Sequence, residues 1–142
     1  VASDHSGQHL TAISSNYGSI HYSHDYGATW TSTSSPCQYF QFPPSVTLSH
    51  DGQYQYAIFD YCSARSTDFG ATWTQMSMFA RSVACNGNGQ RVAATSGWNG
   101  EQIVGSMDYG VTWTQFNHPT GSMASFLSVV MDTSGLNIVV GG

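Results

Sequence analysis

The residues of this chain that could carry acid–base chemistry are its eight carboxylates. Six of them occupy recurrent turn positions that are defined below: Asp4, Asp25, Asp51, Asp68, Asp108 and Asp132. Asp60 and Glu101 are the two that fall outside those turns. Glycoside hydrolysis needs two carboxylates flanking the sugar bond, so this pair is the one candidate for catalysis. The competing interpretation is that both are solvated loop acids.

Histidine gives weak support for a metal centre. His5 and His9 flank one turn, and His21 and His24 flank another, but neither pair recurs in the later repeats. Zinc requires three or four converging ligands. We therefore expect no metal and no other cofactor.

The charge balance excludes several classes of partner. Charged residues make up 8% of the chain, the net charge is −5, and lysine is absent. Phosphate recognition needs clustered cations, which argues against nucleic acid, and an anionic membrane surface is disfavoured for the same reason. No apolar run approaches the roughly 18 residues of a membrane span. A polar, uncharged composition favours an extracellular or cell-surface location. Because the chain starts at Val1 without Met, we expect it to be a mature or trimmed piece.

One eight-residue segment occurs three times with the pattern S-x-D-[YF]-G-x-T-W, and we call each copy a motif turn. The three aspartates lie 43 and 40 residues apart. The fixed positions are Ser23, Asp25, Gly27 and Trp30 in the first copy, Ser66, Asp68, Gly70 and Trp73 in the second, and Ser106, Asp108, Gly110 and Trp113 in the third. A period near 40 residues is typical of β-propeller blades.

A second element alternates with the motif turns. It consists of two short apolar runs separated by a turn that ends in glycine, at Gly7, Gly52, Gly89 and Gly135. Each such element predicts a β-hairpin, and the motif turn predicts a second one. The unit is thus a four-stranded antiparallel blade with strands A to D, and the fold class is all-β. The predicted partial propeller has blades at about 1–40, 45–78 and 82–118 and a terminal A–B half-blade at about 128–140.

The motif resembles the Asp-box, or BNR repeat, of sialidases, sortilin-type receptors, xyloglucanase-type glycosidases and photosystem assembly factors. The resemblance implies a folding device, in which aspartate accepts backbone hydrogen bonds, glycine takes a positive φ and tryptophan packs between blades. It also implies that the motif turns face away from the usual ligand site. Sialidases spread an arginine triad over distant blades, whereas Arg65, Arg81 and Arg91 lie close together here, which argues against that activity.

The loops between strands B and C share an aromatic residue. Tyr17, Tyr61 and Trp98 follow matching strand-B alanines and would lie on one face, where Asn16 and Asn99 could add hydrogen bonds. One interpretation is a stacking platform for sugars or a peptide. The favoured alternative is that these rings pack between blades or against a neighbouring chain.

The three cysteines are expected to form one disulfide and one free thiol. Cys37 follows blade 1 and Cys62 lies in the next B–C loop, on the same face of an adjacent blade, so a disulfide between them is reasonable. Cys85 falls on a strand A at the position of Leu48 and Met131, which predicts a buried thiol.

Three and a half blades leave two open flanks, because closed propellers have about four to eight blades. We therefore expect further blades, from the same or another chain, as partners, with glycans as a second possibility. Two copies would supply about seven blade-equivalents, and the competing interpretation is a fragment. The resulting functional hypothesis is a non-catalytic extracellular module that acts in assembly or recognition. The alternative is a fragment of an Asp-box glycoside hydrolase that uses Asp60 and Glu101.

Overall fold

The strands of this protein form blades in their order along the chain. The computed structural model describes residues 1–14, 19–37, 44–59, 62–96, 102–116 and 125–142. Blade 1 contains β1 (Ala2–Ser3), β2 (Leu10–Ile13), β3 (Ile20–Ser23) and β4 (Thr31–Thr33). Blade 2 contains β5 (Ser45–Leu48), β6 (Gln55–Phe59), β7 (Cys62–Ser66) and β8 (Thr74–Met76). Blade 3 contains β9 (Ala80–Cys85), β10 (Val92–Ser96), β11 (Gln102–Ser106) and β12 (Thr114–Phe116). The half-blade contains β13 (Ser128–Met131) and β14 (Ile138–Gly141).

Within each unit, every strand pairs with its sequence neighbour in an antiparallel ladder. The three complete sheets therefore have the simple order A-B-C-D, and the fourth has A-B alone. The all-β fold of three four-stranded units and a two-stranded unit, predicted from the repeat, is confirmed. Over the described ranges there is no helix of the length and apolar character needed to cross a membrane.

The turns between strands A and B are built alike in all four units. In blade 1 the Asp4 N–H donates to the His9 carbonyl at 2.9 Å, and the Gly7 N–H donates to the Asp4 carbonyl at 3.3 Å. Ser49, Asn86 and Asp132 replace Asp4 in the other units and keep both bonds. The closing glycine has a φ between 72° and 77° in every copy, a conformation that costs glycine little.

The hydrophobic core lies at the junctions between successive units. Successive side chains of a strand point to opposite faces of the sheet, so each blade contacts the preceding unit with one face and the following unit with the other. Ile20 of blade 1 joins a buried cluster with Phe59 and Ala57 of blade 2. The other two clusters join blade 2 to blade 3, through residues such as Tyr56 and Val83, and blade 3 to the half-blade, through Ala84, Ala93 and Val129.

The cysteines divide into a cross-link and a thiol. Cys37 and Cys62 form a disulfide across the junction of blades 1 and 2, with their Cα atoms 5.8 Å apart. Cys85 is a free thiol that is partly buried rather than fully buried, because it lies at the end of β9 beside the turn. Burial, partly opposed by a contact with the Thr47 hydroxyl, raises the pKa of the Cys85 thiol to about 11.

Candidate functional site

The motif turns are closed by the side chains of their own serine and aspartate. In the first copy, Ser23 Oγ accepts the Gly27 N–H at 2.9 Å and donates to Asp25 Oδ1 at 2.8 Å. Asp25 accepts both the N–H and the hydroxyl of Thr29, at 2.8 and 2.6 Å. Trp30 Nε1 donates to the Gly27 carbonyl at 3.0 Å. The corresponding distances in the other two turns lie between 2.6 and 3.2 Å.

An aromatic residue in each motif turn has a left-handed backbone that the sequence analysis did not anticipate. The φ angles of Tyr26, Phe69 and Tyr109 are 60°, 59° and 61°, directly before a glycine of positive φ. Such angles are uncommon for bulky residues. The serine and aspartate side chains hold this conformation through their hydrogen bonds within the turn. Phe69 O then accepts His24 Nε2 from blade 1 at 3.0 Å, and Tyr109 O accepts Arg65 Nη1 from blade 2 at 2.6 Å.

The hydrogen bonds of the motif turns favour ionised aspartates. Donation by the hydroxyl and then the N–H of Thr29 lowers the pKa of Asp25 to about 2, and Thr112 does the same for Asp108. Burial raises the pKa of Asp68, but hydrogen bonds, first those from Thr72 and then that from Ser66, lower it and the net shift is downward. A carboxylate that is ionised and already bonded twice is poorly suited to donate a proton, so these groups act as turn-closing acceptors.

Folding stability should therefore fall in acid. A carboxyl group whose folded pKa is depressed contributes stability above its unfolded pKa, near 3.8, and that stability is lost as the pH falls toward the folded value of about 2. We expect the urea midpoint to decrease steadily from pH 5 through pH 2. Asp108→Asn should reduce the size of that decrease, because one of the titrating groups is removed. A midpoint that stays constant over this range would contradict the prediction.

The remaining described carboxylates are also engaged within their own turns. Asp4 accepts Ser6 Oγ and His9 Nδ1, each at 2.9 Å. Asp51 accepts Ser49 Oγ at 2.5 Å and the Gln53 N–H at 3.0 Å. Asp132 accepts Asn137 Nδ2 at 2.7 Å, and its pKa is lowered to about 2 by the side chains of Asn137 and then Ser134.

The residues predicted to do chemistry or bind a ligand lie outside the residues that the structure describes. They are Asn16, Tyr17, Asp60, Tyr61, Trp98, Asn99 and Glu101. The aromatic platform and the carboxylate pair therefore stay predictions. The structure does describe the face that carries the motif turns, which we call the turn face. The motif turns share it with the A–B turns, since the Tyr26 N–H donates to the Gln8 carbonyl and both later blades repeat this bond.

Four histidines meet on this turn face at the junction of blades 1 and 2. His5 stacks on His50 with ring centroids 5.0 Å apart, and His9 lies 5.1 Å from His24. Sequence reasoning treated His5 with His9 and missed His50, although His5 and His50 both follow the first residue of an A–B turn. The His5 and His50 rings stack, whereas His9 meets His24 edge to face. Within the described ranges no three metal-ligating side chains form a group that could hold an ion.

The blade junctions are held by three repeated contacts. First, a backbone relay crosses each junction: the N–H of His5 donates to the His50 carbonyl, His50 to Gly87, and Gly87 to Thr133, at 2.8 to 3.1 Å. Second, a serine of strand A accepts an N–H from the next unit. Ser45 Oγ accepts from Val83 at 3.4 Å, and Ser82 Oγ accepts from Val129 at 3.2 Å.

The third contact seats a side chain over the glycine of the next A–B turn. A Cβ atom on Gly52 would lie 2.7 Å from His9 Cβ, and one on Gly89 would lie 2.6 Å from Tyr54 Cβ. A Cβ atom on Gly135 would likewise meet Arg91, at 2.7 Å from its Cδ. The glycine is therefore required by a neighbouring blade as well as by its φ angle.

The tryptophans of the motif turns differ in burial. Trp73 and Trp113 are partly buried, whereas Trp30 is 44% exposed. For Trp30 the expected packing between adjacent blades stays a prediction. No blade precedes blade 1 in the structure, so the surface that the other two contact is missing for this residue.

The fold and its junctions define a set of successive β-propeller blades, and comparison with solved structures supports this class. YCF48 bound to D1 peptide is 19% identical with a TM-score of 0.68, and the match covers 94% of this chain and 43% of that one. A GH74 enzyme from Niastella koreensis is 22% identical with a TM-score of 0.60, covering 80% of this chain and 17% of the enzyme. A chain of the nidogen–laminin complex is 12% identical with a TM-score of 0.69, covering 98% and 54%.

These similarities establish the β-propeller fold of the chain. The chain spans between about a sixth and about half of the three structures. No protein-family model and no curated protein matches the sequence.

Proposed function

We propose that this chain is a non-catalytic, extracellular β-propeller module of the Asp-box type that acts by recognition or assembly. The observation that carries the proposal is that the described carboxylates are already hydrogen-bonded. All six in the described residues accept hydrogen bonds from their own turns, and those of the motif turns repeat one geometry. They serve the fold, which leaves surface binding as the activity that the described residues favour.

A protein or peptide partner is consistent with two of the similar structures. YCF48 was solved with the D1 peptide, and the nidogen–laminin match is itself a complex. The GH74 enzyme has the same fold, so the fold alone does not separate binding from hydrolysis. For this chain the distinction depends on Asp60 and Glu101.

An extracellular location is supported by the disulfide. Cys37 and Cys62 are cross-linked at a blade junction. Structural disulfides persist in oxidising compartments and are rare in the cytosol. The low content of charged residues, with no lysine, agrees with a secreted or surface module.

A hydrolysis assay tests the non-catalytic part of the proposal. The wild-type chain and the double variant Asp60→Asn, Glu101→Gln are incubated with β-glucans and sialosides, and released reducing sugar is measured. We expect no turnover by either protein. Turnover by the wild type that the double variant loses would overturn the proposal and establish the glycoside hydrolase alternative.

A glycan and peptide array tests recognition through the B–C loops. If Tyr17, Tyr61 and Trp98 form a platform, Trp98→Ala should abolish most of the signal, whereas rings that pack between blades would leave the array without a specific signal. Tyr26→Asn is the control, since Tyr26 is an exposed aromatic on the turn face and asparagine tolerates its positive φ. Equal loss of signal in both variants would count against a platform on the B–C face.

A further inference from the structure

The A–B turn of blade 3 contains two asparagine–glycine pairs, Asn86-Gly87 and Asn88-Gly89. A third pair, at Asn99, lies outside the described residues. An asparagine that is followed by glycine is especially prone to deamidation, since glycine has no side chain to hinder its own amide nitrogen. The reaction replaces a neutral amide with a carboxylate, so its consequences depend on what the asparagine and the glycine contact in the fold.

The two described asparagines differ in their accessibility. Asn86 is 7% exposed, its Oδ1 accepts the Arg91 N–H at 3.0 Å, and the N–H that follows it along the chain belongs to the backbone relay into the half-blade. Asn88 is exposed, and its Oδ1 accepts the Gln90 N–H at 3.0 Å. Of the two, Asn88 is therefore the side chain that water reaches.

The nucleophile of the reaction is held in a hydrogen bond. The Gly89 nitrogen would attack Cγ of Asn88, lose its proton to solvent and expel ammonia, which closes a five-membered succinimide ring. Water then opens the ring at either carbonyl, giving aspartate or isoaspartate. In the folded turn the Gly89 N–H donates to the Asn86 carbonyl at 3.0 Å, and Gly89 is buried beneath Tyr54. The turn must open before this nitrogen can attack.

The aspartate product fits the turn, because blade 2 already has an aspartate at the equivalent position. Asp51 Oδ1 accepts the Gln53 N–H at 3.0 Å, which is the distance between Asn88 Oδ1 and the Gln90 nitrogen. The closing glycines of the two turns also agree, with φ angles of 77° and 76°. An aspartate in place of Asn88 should therefore keep the turn and its glycine in position.

The isoaspartate product does not fit, because it adds one carbon to the main chain directly before Gly89. The Gly89 carbonyl accepts the Tyr56 hydroxyl at 2.6 Å, and a Cβ atom on Gly89 would lie 2.6 Å from Tyr54 Cβ. Both tyrosines belong to blade 2, and their close packing leaves Gly89 no room to shift toward that blade. A longer main chain must therefore break contacts across the junction of blades 2 and 3.

We propose that Asn88 is a site of spontaneous deamidation that reacts while the junction of blades 2 and 3 is open, and that its isoaspartate product prevents that junction from closing. A reaction that requires local opening follows the population of the open state. The modification therefore accumulates in proportion to how often this junction opens, and it adds a negative charge beside blade 2. The proposal is independent of what the chain recognises.

Peptide mapping measures the reaction at each asparagine. Trypsin cleaves after Arg81 and Arg91 in a chain without lysine, so the peptide of residues 82–91 contains Asn86 and Asn88 and excludes Asn99. The folded chain and a synthetic peptide of this sequence are incubated in parallel at mildly alkaline pH. Tandem mass spectrometry locates the new carboxylate, and an isoaspartyl methyltransferase counts the isoaspartate. We expect Asn88 to react at least about tenfold more slowly in the chain than in the peptide, and faster than Asn86 within the chain.

Tyr56→Phe tests whether opening of the junction controls the rate. The variant loses the hydrogen bond to the Gly89 carbonyl and keeps the buried ring, so the open population and the rate at Asn88 should rise by about fivefold or more. Phe79→Ala is the matched control, since it removes an exposed ring beside the same junction and should leave the rate unchanged. Equal rates in the chain and the peptide, or no increase in Tyr56→Phe, would overturn the requirement for opening.

The fate of the products tests the second half of the proposal. Asn88→Asp reproduces the aspartate product and should keep the urea midpoint of the wild type, whereas chain enriched in isoaspartate should unfold at lower urea. An isoaspartate form as stable as Asn88→Asp would show that the junction accepts the longer main chain, and would overturn this half. Reaction at Asn86 alone, or an intact Asn88 in the chain long after the peptide has reacted, would overturn the site itself.

Discussion

Replacing Gly89 with alanine is expected to lower the free energy of unfolding by about 3 kcal/mol. The φ of Gly89 is 76°, and a left-handed conformation costs an alanine about 1 kcal/mol or slightly more. The added Cβ would lie 2.6 Å from Tyr54 Cβ, which belongs to blade 2, and overpacking of this kind costs about 2 kcal/mol. Urea unfolding followed by tryptophan fluorescence measures the loss as a lower midpoint at an unchanged slope.

Gly7→Ala is the control for this measurement. Gly7 has the same φ of 76° and the same place in its A–B turn, but nothing lies within 4 Å of a Cβ atom there. It should therefore lose only the backbone contribution, about 1 kcal/mol. Both variants should be compared at a concentration where the chain is monomeric. Equal losses would mean that the contact between Tyr54 and Gly89 contributes little to the junction of blades 2 and 3.

Interactions within a blade were predictable because they are local and repeated. The motif turn joins Ser66, Asp68 and Thr72 within seven residues, so the same letters recur wherever the turn recurs. The alternation of this turn with a glycine-terminated hairpin was enough to give four antiparallel strands in each unit. The fold class and the role of the aspartates follow from these local signals.

Interactions between blades were much less predictable. Thr11 donates to Gln55 across 44 residues at one junction, whereas Tyr56 donates to Gly89 across 33 residues at the next. The partners change at each junction, because only the combined size and hydrogen bonding of two facing residues must be satisfied. A single sequence does not reveal such compensations. The meeting of His5 with His50 was missed for the same reason.

The candidate ligand site was likewise predictable only in part. The sequence placed Tyr61 and Trp98 in B–C loops by their offset from strand-B alanines. It could not establish whether their rings point toward a ligand or toward each other, because loop conformation depends on contacts that do not repeat. A residue on the turn face shows that backbone conformation can be missed even in a repeated segment. Tyr26 lies within the most regular segment of the chain, yet its φ of 60° was not foreseen.

Tyr56→Ala is expected to cost about 4 kcal/mol, the largest effect of any single substitution considered for this chain. Tyr56 is fully buried at the junction of blades 2 and 3, where its ring packs with Met76 and Val83. Removing a buried aromatic ring costs about 3–5 kcal/mol, because the surrounding side chains close the cavity incompletely. Phe79→Ala removes an exposed ring beside the same junction and should change the free energy by about 0.5 kcal/mol or less.

Tyr56→Phe separates the hydrogen bond from the ring. The Tyr56 hydroxyl donates to the Gly89 carbonyl at 2.6 Å, and burial raises the pKa of Tyr56 well above its ordinary value, so the donor stays protonated. Loss of the hydroxyl leaves that carbonyl unsatisfied, at a cost of about 1–2 kcal/mol. The ring should therefore account for more than half of the total. If Tyr56→Phe and Tyr56→Ala lowered the urea midpoint equally, the junction would depend on the hydrogen bond between blades and not on their packing.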